Sequence, residues 1–313
     1  MVDYDVVIVG GGPAGLYSSI VLKRGLPTQN ITENISVCIL DQGIVGGFTK
    51  YAYITISKKW GFSGSTLIQS FYDETISLGT DIHQNERVDS IYYLEDESKF
   101  VITSDKTTYR ANYVILANGI MLNPDLMREK NIEIGLHSAK FILEDIEEDK
   151  SKKVLLIGPD EKSLNLLCTE LSHLSSNTIQ IETMKIAYKD DLLSSNKKFK
   201  QYDKIIIDYN SFKVLNGSTS FIDIPNLKTK NGFCITNEFG ETNIDGLYAV
   251  GTSANVISGV LISLSSSLIA ALSIGRRINK ITISEPSGRF PWFPRENSWE
   301  DSWLAYLWDK NDE

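Results

Sequence analysis

Six residues near the start of the chain, Gly10-Gly11-Gly12-Pro13-Ala14-Gly15, restrict it to a narrow set of folds. They satisfy G-x-G-x-x-G. The apolar run Val6 to Val9 precedes them, as a buried parallel strand would, and an apolar helical pattern follows at once. In that setting Gly10 allows the tight turn, Gly12 lets the backbone approach a pyrophosphate, and Gly15 lets helix and strand pack closely. The pyrophosphate would sit at the helix N-terminus, beside Pro13 and Ala14, where N–H groups and the dipole favour anions. A second strand, Ser36 to Leu40, ends at Asp41, whose carboxylate can bind ribose hydroxyls. Asp41 and its neighbour Gln42 are therefore candidate contacts. Arg24 to Asn34 reads as an extra polar loop before that strand.

The length of 313 residues suits two domains or one large one, and 42% apolar content supports a real core. A net charge of −9 with no basic stripe argues against a nucleic-acid partner. The chain runs straight into a strand without a signal peptide, and a cytoplasmic protein is expected. Cys38, Cys168 and Cys234 are far apart and form no Cys-x-x-Cys pair. Cys38, in an expected strand, and Cys168, on an expected helix, read as small buried hydrophobes, and nothing implies a secreted disulfide framework. His83, His137 and His173 lack metal-ligand spacing, so no metal site is expected. Val256 to Ile274 carries no charge and is long enough to span a bilayer. Its serines, late in a nucleotide-binding pattern, favour a buried helix against a cofactor, and no membrane partner is expected.

Strand–helix alternation predicts an α/β chain with a parallel sheet. Lys99 to Thr103 and Thr108 to Arg110 predict a hairpin, and Tyr113 to Leu116 a strand that ends in Ala117-Asn118-Gly119. A second unit begins with Val154 to Ile157 as strand. It continues with Gly158-Pro159-Asp160 as turn, Glu161 to Leu174 as helix and Thr178 to Ile181 as strand. Lys204 to Ile207, Gly232 to Ile235 and Gly246 to Val250 complete the expected strands.

Three blocks together resemble the low-molecular-weight thioredoxin reductases and their relatives, the ferredoxin (flavodoxin)–NADP reductase-like group. Gly10 to Gly15 is similar to that family's FAD pyrophosphate loop. Ala117-Asn118-Gly119 is similar to its Ala-Thr-Gly turn, where the chain leaves the FAD domain. Thr242 to Gly251 is similar to its second FAD motif. Gly46-Gly47 and Trp60-Gly61-Phe62 fall where the family has segments beside the flavin, and a helix from about Ser258 would point its N-terminus at the flavin. The resemblance covers residues 1–285. It implies two Rossmann-like, three-layer ββα dinucleotide-binding domains, the second inserted in the first and degenerate. The FAD domain would comprise 1–120 and 233–285, the reduced pyridine-nucleotide-type domain 121–232, and an aromatic tail 286–313. It also implies FAD as cofactor and a homodimer.

The chain departs from the family at several points. The second FAD motif ends in Thr252 where the family has Asp. The stretch Phe141 to Lys150, where a redox Cys-x-x-Cys is expected, holds no cysteine, so a local dithiol relay is not expected. In the second loop, Asp160 stands where a pyrophosphate would approach. Two like charges a few Å apart cost about 1–4 kcal/mol. Glu182, after the expected strand 178–181, would repel a 2′-phosphate and suit NAD. NAD(P)H use therefore stays open.

Four of the five tryptophans, Trp292, Trp299, Trp303 and Trp308, lie in the tail. They are expected to dock on the core, seal a dimer, or cover the flavin. The leading reading is an FAD-dependent oxidoreductase without its own redox disulfide, fed by a ferredoxin- or flavodoxin-type carrier or an atypical donor. Gly10, Gly12, Pro13, Ala14, Gly15, Asp41, Gln42, Gly46, Gly47, Ala117, Asn118, Gly119, Gly251, Thr252 and Ser258 are the expected cofactor contacts. No catalytic side chain is identified. The alternative is a flavin-binding sensor or subunit without turnover, or a second flavin or nucleotide in the degenerate domain.

Overall fold

A computed structural model describes residues 2–24, 35–119, 132–135, 152–174, 179–185, 199, 201–208, 222–230, 232–254 and 259–279. Ser258, His137, the Phe141 to Lys150 stretch and the aromatic tail lie outside the described residues. From the N-terminus come β1 (Val2–Val9), α1 (Pro13–Arg24), β2 (Val37–Leu40), a 3-10 turn (Gly47–Tyr51), the hairpin β3 (Tyr53–Ser57) and β4 (Trp60–Ser63), and α2 (Gly64–Ser77). Next are β5 (Asp81–His83), β6 (Val88–Leu94), β7 (Lys99–Ser104), β8 (Thr108–Leu116) and β9 (Ile132–Gly135). Then follow β10 (Lys153–Gly158), α3 (Glu161–Leu174), β11 (Gln180–Lys185), β12 (Lys204–Asp208), β13 (Thr229–Lys230) and β14 (Phe233–Cys234). Last come β15 (Leu247–Ala249), a second 3-10 turn (Gly251–Ser253) and α4 (Val260–Ile278).

Val6 to Val9 form the fully buried half of β1. Both faces are covered, so the run is apolar throughout rather than alternating. β1 pairs in parallel with β2 and with β8. β5 extends the sheet beyond β2, and antiparallel β7 and β6 extend it beyond β8. The edge of β8 facing away from β1 is shared. Its first half pairs with β7, and Val114 to Leu116 pair in parallel with β15. The strands expected at 108–110 and 113–116 are one continuous strand. A second sheet, in the order β11-β10-β12-β9, is parallel throughout.

Alternation along the first sheet divides the core. Val6, Ile8, Ile39 and Ile115 pack with α1 and α4. Val7, Val9, Cys38, Leu40, Val114 and Leu116 pack with Ile91, Phe100 and Ile102 of the antiparallel strands and with Cys234. Among the described residues, α4 is the one helix long and apolar enough to cross a membrane. Here it lies against α1. Its buried residues Ser263, Ser267, Ala270, Ala271, Ile274 and Gly275 recur on one helical face, and all but Ile274 are small enough to let the two helices approach closely.

Candidate dinucleotide-binding site

The glycines of the first loop do three different jobs. Gly10 has φ +107°, and a Cβ there would stand 2.5 Å from the Ala117 carbonyl oxygen. A Cβ on Gly15 would stand 1.9 Å from the Gly10 carbonyl oxygen, so only glycine lets α1 close onto the loop. Gly12 differs: a Cβ there would meet no atom within 4 Å. Protein packing does not require glycine at that position. The missing side chain leaves an open cradle at the start of α1, where Pro13 takes the first helical position and loses no needed N–H.

The segment after β2 folds over this cradle. Asp41 is buried; its Oδ2 accepts the Gly11 N–H at 2.6 Å and its Oδ1 accepts the Gly43 N–H at 2.8 Å. Each carboxylate oxygen has a second lone pair for a ligand hydroxyl. Next to Asp41 in the chain, the Gln42 amide Nε2 is buried with no hydrogen-bond partner among the described residues, an unmet donor that a bound group would satisfy. Gly46 N–H donates to the Gly11 carbonyl at 2.9 Å, and Gly47 lies over Gly12.

Two late segments close the other side. Ala117 N–H donates to the Val9 carbonyl at 2.8 Å. The Ser253 hydroxyl donates to Asn118 Oδ1 at 2.8 Å and accepts the Gly119 N–H at 3.1 Å. Gly251 N–H donates to Ser266 Oγ at 2.8 Å, and Ser267 Oγ donates to the Ala14 carbonyl at 2.9 Å. The serines of α4 thus pin the second 3-10 turn and the first turn of α1 together. Thr252, half-exposed, sits within that turn. Apart from Ser258, every residue expected at the cofactor lies in one of these converging segments.

One part of the site was not anticipated. Glu86 is buried, accepting the Ser104 hydroxyl at 2.6 Å and the Tyr109 hydroxyl at 2.7 Å, with His83 Nδ1 at 3.5 Å. Its backbone N–H holds the Asp41 carbonyl at 2.8 Å, and the His83 carbonyl accepts the Asp41 N–H at 2.9 Å. Burial, then the bond to Glu86, pushes the Tyr109 hydroxyl well above its usual range. The only signal in the sequence was a lone Glu after a short strand, which has no pattern of its own.

The second unit corrects an expectation. β11 runs on to Lys185 rather than ending at Ile181. Glu182 therefore lies within the strand, opposite Leu155, where it accepts the Tyr202 hydroxyl and pairs with Lys153 Nζ at 3.5 Å. The Tyr202 bond, then Lys153, holds its carboxyl below the usual range. Its place is not that of a ribose-binding residue at a strand end. The strand outlasts its apolar start because Glu182 and Lys185 face partly or fully to solvent at the edge of the sheet. The cysteines lie in three elements, with Cys38 in the core of β2, Cys168 on α3 and Cys234 on β14, and form no disulfide among the described residues. Burial raises the Cys38 thiol far above its ordinary range.

The family model described as pyridine nucleotide-disulphide oxidoreductase matches residues 68–182. Ferredoxin–NADP reductase 1 of Lysinibacillus sphaericus is 26% identical over 198 residues, 62% of this chain and 53% of that protein. The chain thus spans about half the length of that relative. A ferredoxin–NADP reductase of Streptococcus pneumoniae serotype 19F is 24% identical over 285 residues, 79% of this chain and 85% of that protein. Thioredoxin reductase of Mycoplasmopsis pulmonis is 24% identical over 319 residues, 88% of this chain and 98% of that protein. Among solved structures, T. acidophilum thioredoxin reductase superposes with a TM-score of 0.58 at 19% identity, covering 89% of this chain and all of that one. The fold is that of the two-domain, Rossmann-like thioredoxin reductases.

Proposed function

We propose that this chain is an FAD-dependent oxidoreductase of the thioredoxin reductase-like kind that works without a local redox dithiol. In this reading residues 1–120 and 233–285 form the FAD domain and 121–232 the inserted one. The observation that carries it is the open cradle at Gly12, with the Asp41 carboxylate bonded to the adjoining Gly11 N–H and the unmet Gln42 amide next to Asp41 in the chain. A pyrophosphate fits the α1 N-terminus, an adenosine ribose fits Asp41, and the ribityl chain fits beside Gly251 and Thr252. Bound FAD would supply the electron-accepting and electron-donating chemistry. The residues of this chain would hold it and set its surroundings. Relatives named as reductases, and the separate match of residues 68–182 to a family model for pyridine nucleotide-disulphide oxidoreductases, support the same reading.

The electron donor in this reading is a carrier protein of the ferredoxin or flavodoxin type. Between Asp41 and Asp73 the chain has no acidic residue, although its net charge is −9. That segment holds Lys50, Lys58 and Lys59 and exposes Tyr53 and Trp60, which are 60% and 61% exposed on the β3–β4 hairpin. An aromatic centre with a cationic rim suits an acidic partner. A cytoplasmic homodimer completes the proposal.

The test is direct. Protein purified from cells should be yellow and carry one FAD per chain, and Gly12→Asp should abolish retention by putting a carboxylate in the cradle. A colourless wild-type protein that does not bind added FAD would refute the proposal.

A further inference from the structure

The two Rossmann-like units can be laid on each other by strand register. In the first, Val9 opposes Leu40 and the helix opens at Pro13. In the second, Ile157 opposes Met184 and the helix opens at Glu161. Counting from those points, Asp160 holds the place of Gly12, Ser163 that of Gly15, and Lys185 that of Asp41.

Each exchange alters the mouth of the second unit. Where Gly12 leaves an empty cradle, Asp160 fills it: its Oδ2 accepts the Ser163 N–H at 2.9 Å and the Ser163 hydroxyl at 2.8 Å. This is the geometry of an N-capping carboxylate, and it uses the donors that a bound anion needs. Where Gly15 tolerates no Cβ, Ser163 carries one, so the second loop does not repeat the backbone of the first. Where Asp41 offers a carboxylate to a ribose diol, exposed Lys185 offers a cation. The bonds from Ser163 hold the Asp160 carboxyl below the usual range, with a smaller contribution from Lys185. The cap therefore stays ionised at neutral pH.

We propose that Asp160 is the residue that closes the second unit to dinucleotides, acting as a built-in anion in the place of their pyrophosphate. The proposal rests on the reading of the chain as a flavoprotein fed by a carrier protein, but it concerns the second unit alone. A dinucleotide would have to displace a bonded carboxylate from the helix terminus and then face its charge.

The experiment titrates NADPH and NADH by calorimetry into the full-length wild type, Asp160→Gly and Asp160→Asn, with flavin content and thermal midpoint measured on each sample. Wild type should bind weakly. Asp160→Gly should bind about tenfold tighter or more. Asp160→Asn keeps a capping side chain without its charge, so it decides the matter if the glycine variant does not fold; it should also gain affinity. Micromolar binding by wild type would overturn the proposal, as would folded variants that bind no better than wild type. Flavin content reports separately on the first unit, so a colourless protein would refute the flavin reading and leave this one to the titrations.

Discussion

The Glu86 backbone N–H donates to the Asp41 carbonyl at 2.8 Å, and the buried Glu86 side chain, held by Ser104 and Tyr109, fixes that backbone in place beside Asp41. Glu86→Ala would take the carboxylate acceptor from the buried Tyr109 hydroxyl and leave the Ser104 hydroxyl with the Thr107 carbonyl alone, at a cost of about 1–3 kcal/mol. Chemical denaturation should read that loss. The Asp41 loop should loosen with it, and flavin retention should fall more than in Ser104→Ala, which removes one donor and leaves the carboxylate bonded to Tyr109.

Gly12 and Gly15 should separate binding from folding. Among the described residues, a Cβ at Gly12 meets no atom within 4 Å, whereas one at Gly15 collides with the Gly10 carbonyl. Gly12→Asp should keep the thermal midpoint of the flavin-free wild type while losing the flavin. Gly15→Val should lose both. Equal midpoints in the two variants would show that the loop packs less tightly than its geometry states.

Alkali should destabilise the protein through buried hydroxyls. Tyr109 is held above its ordinary value of 10.0 by burial first and by Glu86 second. A group whose folded pKa is raised contributes stability that is complete below the unfolded value and is lost as pH climbs toward the folded one. Stability should therefore start to fall near pH 10, and Tyr109→Phe should flatten that part of the profile. A Tyr109→Phe protein with an unchanged alkaline limb would place the effect elsewhere, with the half-buried Tyr4, also raised by burial and Asp81, the next tyrosine to replace.

Thiols should be dispensable to turnover. Joint replacement of Cys38 by Ala and of Cys168 and Cys234 by Ser should leave flavin reduction by the donor within about twofold. Small packing losses are expected at the two core positions. A stable single variant at Cys168 or Cys234 that abolishes activity would restore a thiol mechanism.

Carrier docking should be electrostatic. Lys58→Glu with Lys59→Glu should raise KM for an acidic carrier several-fold at low salt, and the difference should shrink as salt screens the charges. Flavin reduction by dithionite should be unaltered in the same variant. A salt-independent KM, equal in both proteins, would move the docking surface off the hairpin.

Much of this architecture could be read from local pattern. The strand–glycine–helix start, the second unit at Val154 and the Ser-rich helix are each encoded within about twenty contiguous residues. What local pattern missed was set by distant partners. In the hairpin Tyr53 to Ser63, Ile54 and Ile56 alternate with exposed Tyr53, Thr55 and Ser57, but the run is short and its inner face is only half-buried. The helix α2 opens on Gly64, a poor start by propensity. It is nonetheless required, because a Cβ there would stand 1.8 Å from the Thr49 carbonyl oxygen. The true end of β11 depends on pairing with β10, and so the place of Lys185 was hidden. Each block of the candidate site was legible, but their meeting was not. Ser253 bonds to Asn118 and Ser267 to Ala14 across 135 and 253 residues of chain.

That reach has a consequence for how the site comes into being. The outer edge of β8 takes β7 from its immediate neighbourhood but waits for β15 to fill the rest. During synthesis the first half of the sheet can therefore assemble early, while the second parallel unit is still being made. The first turn of α1 stays unlatched until Ser263 to Ser267 have left the ribosome. Such late, long-range closure belongs to slow folding. Cofactor capture would then be among the last events of maturation. A nascent chain arrested before α4 should hold no flavin, however complete its glycine loop.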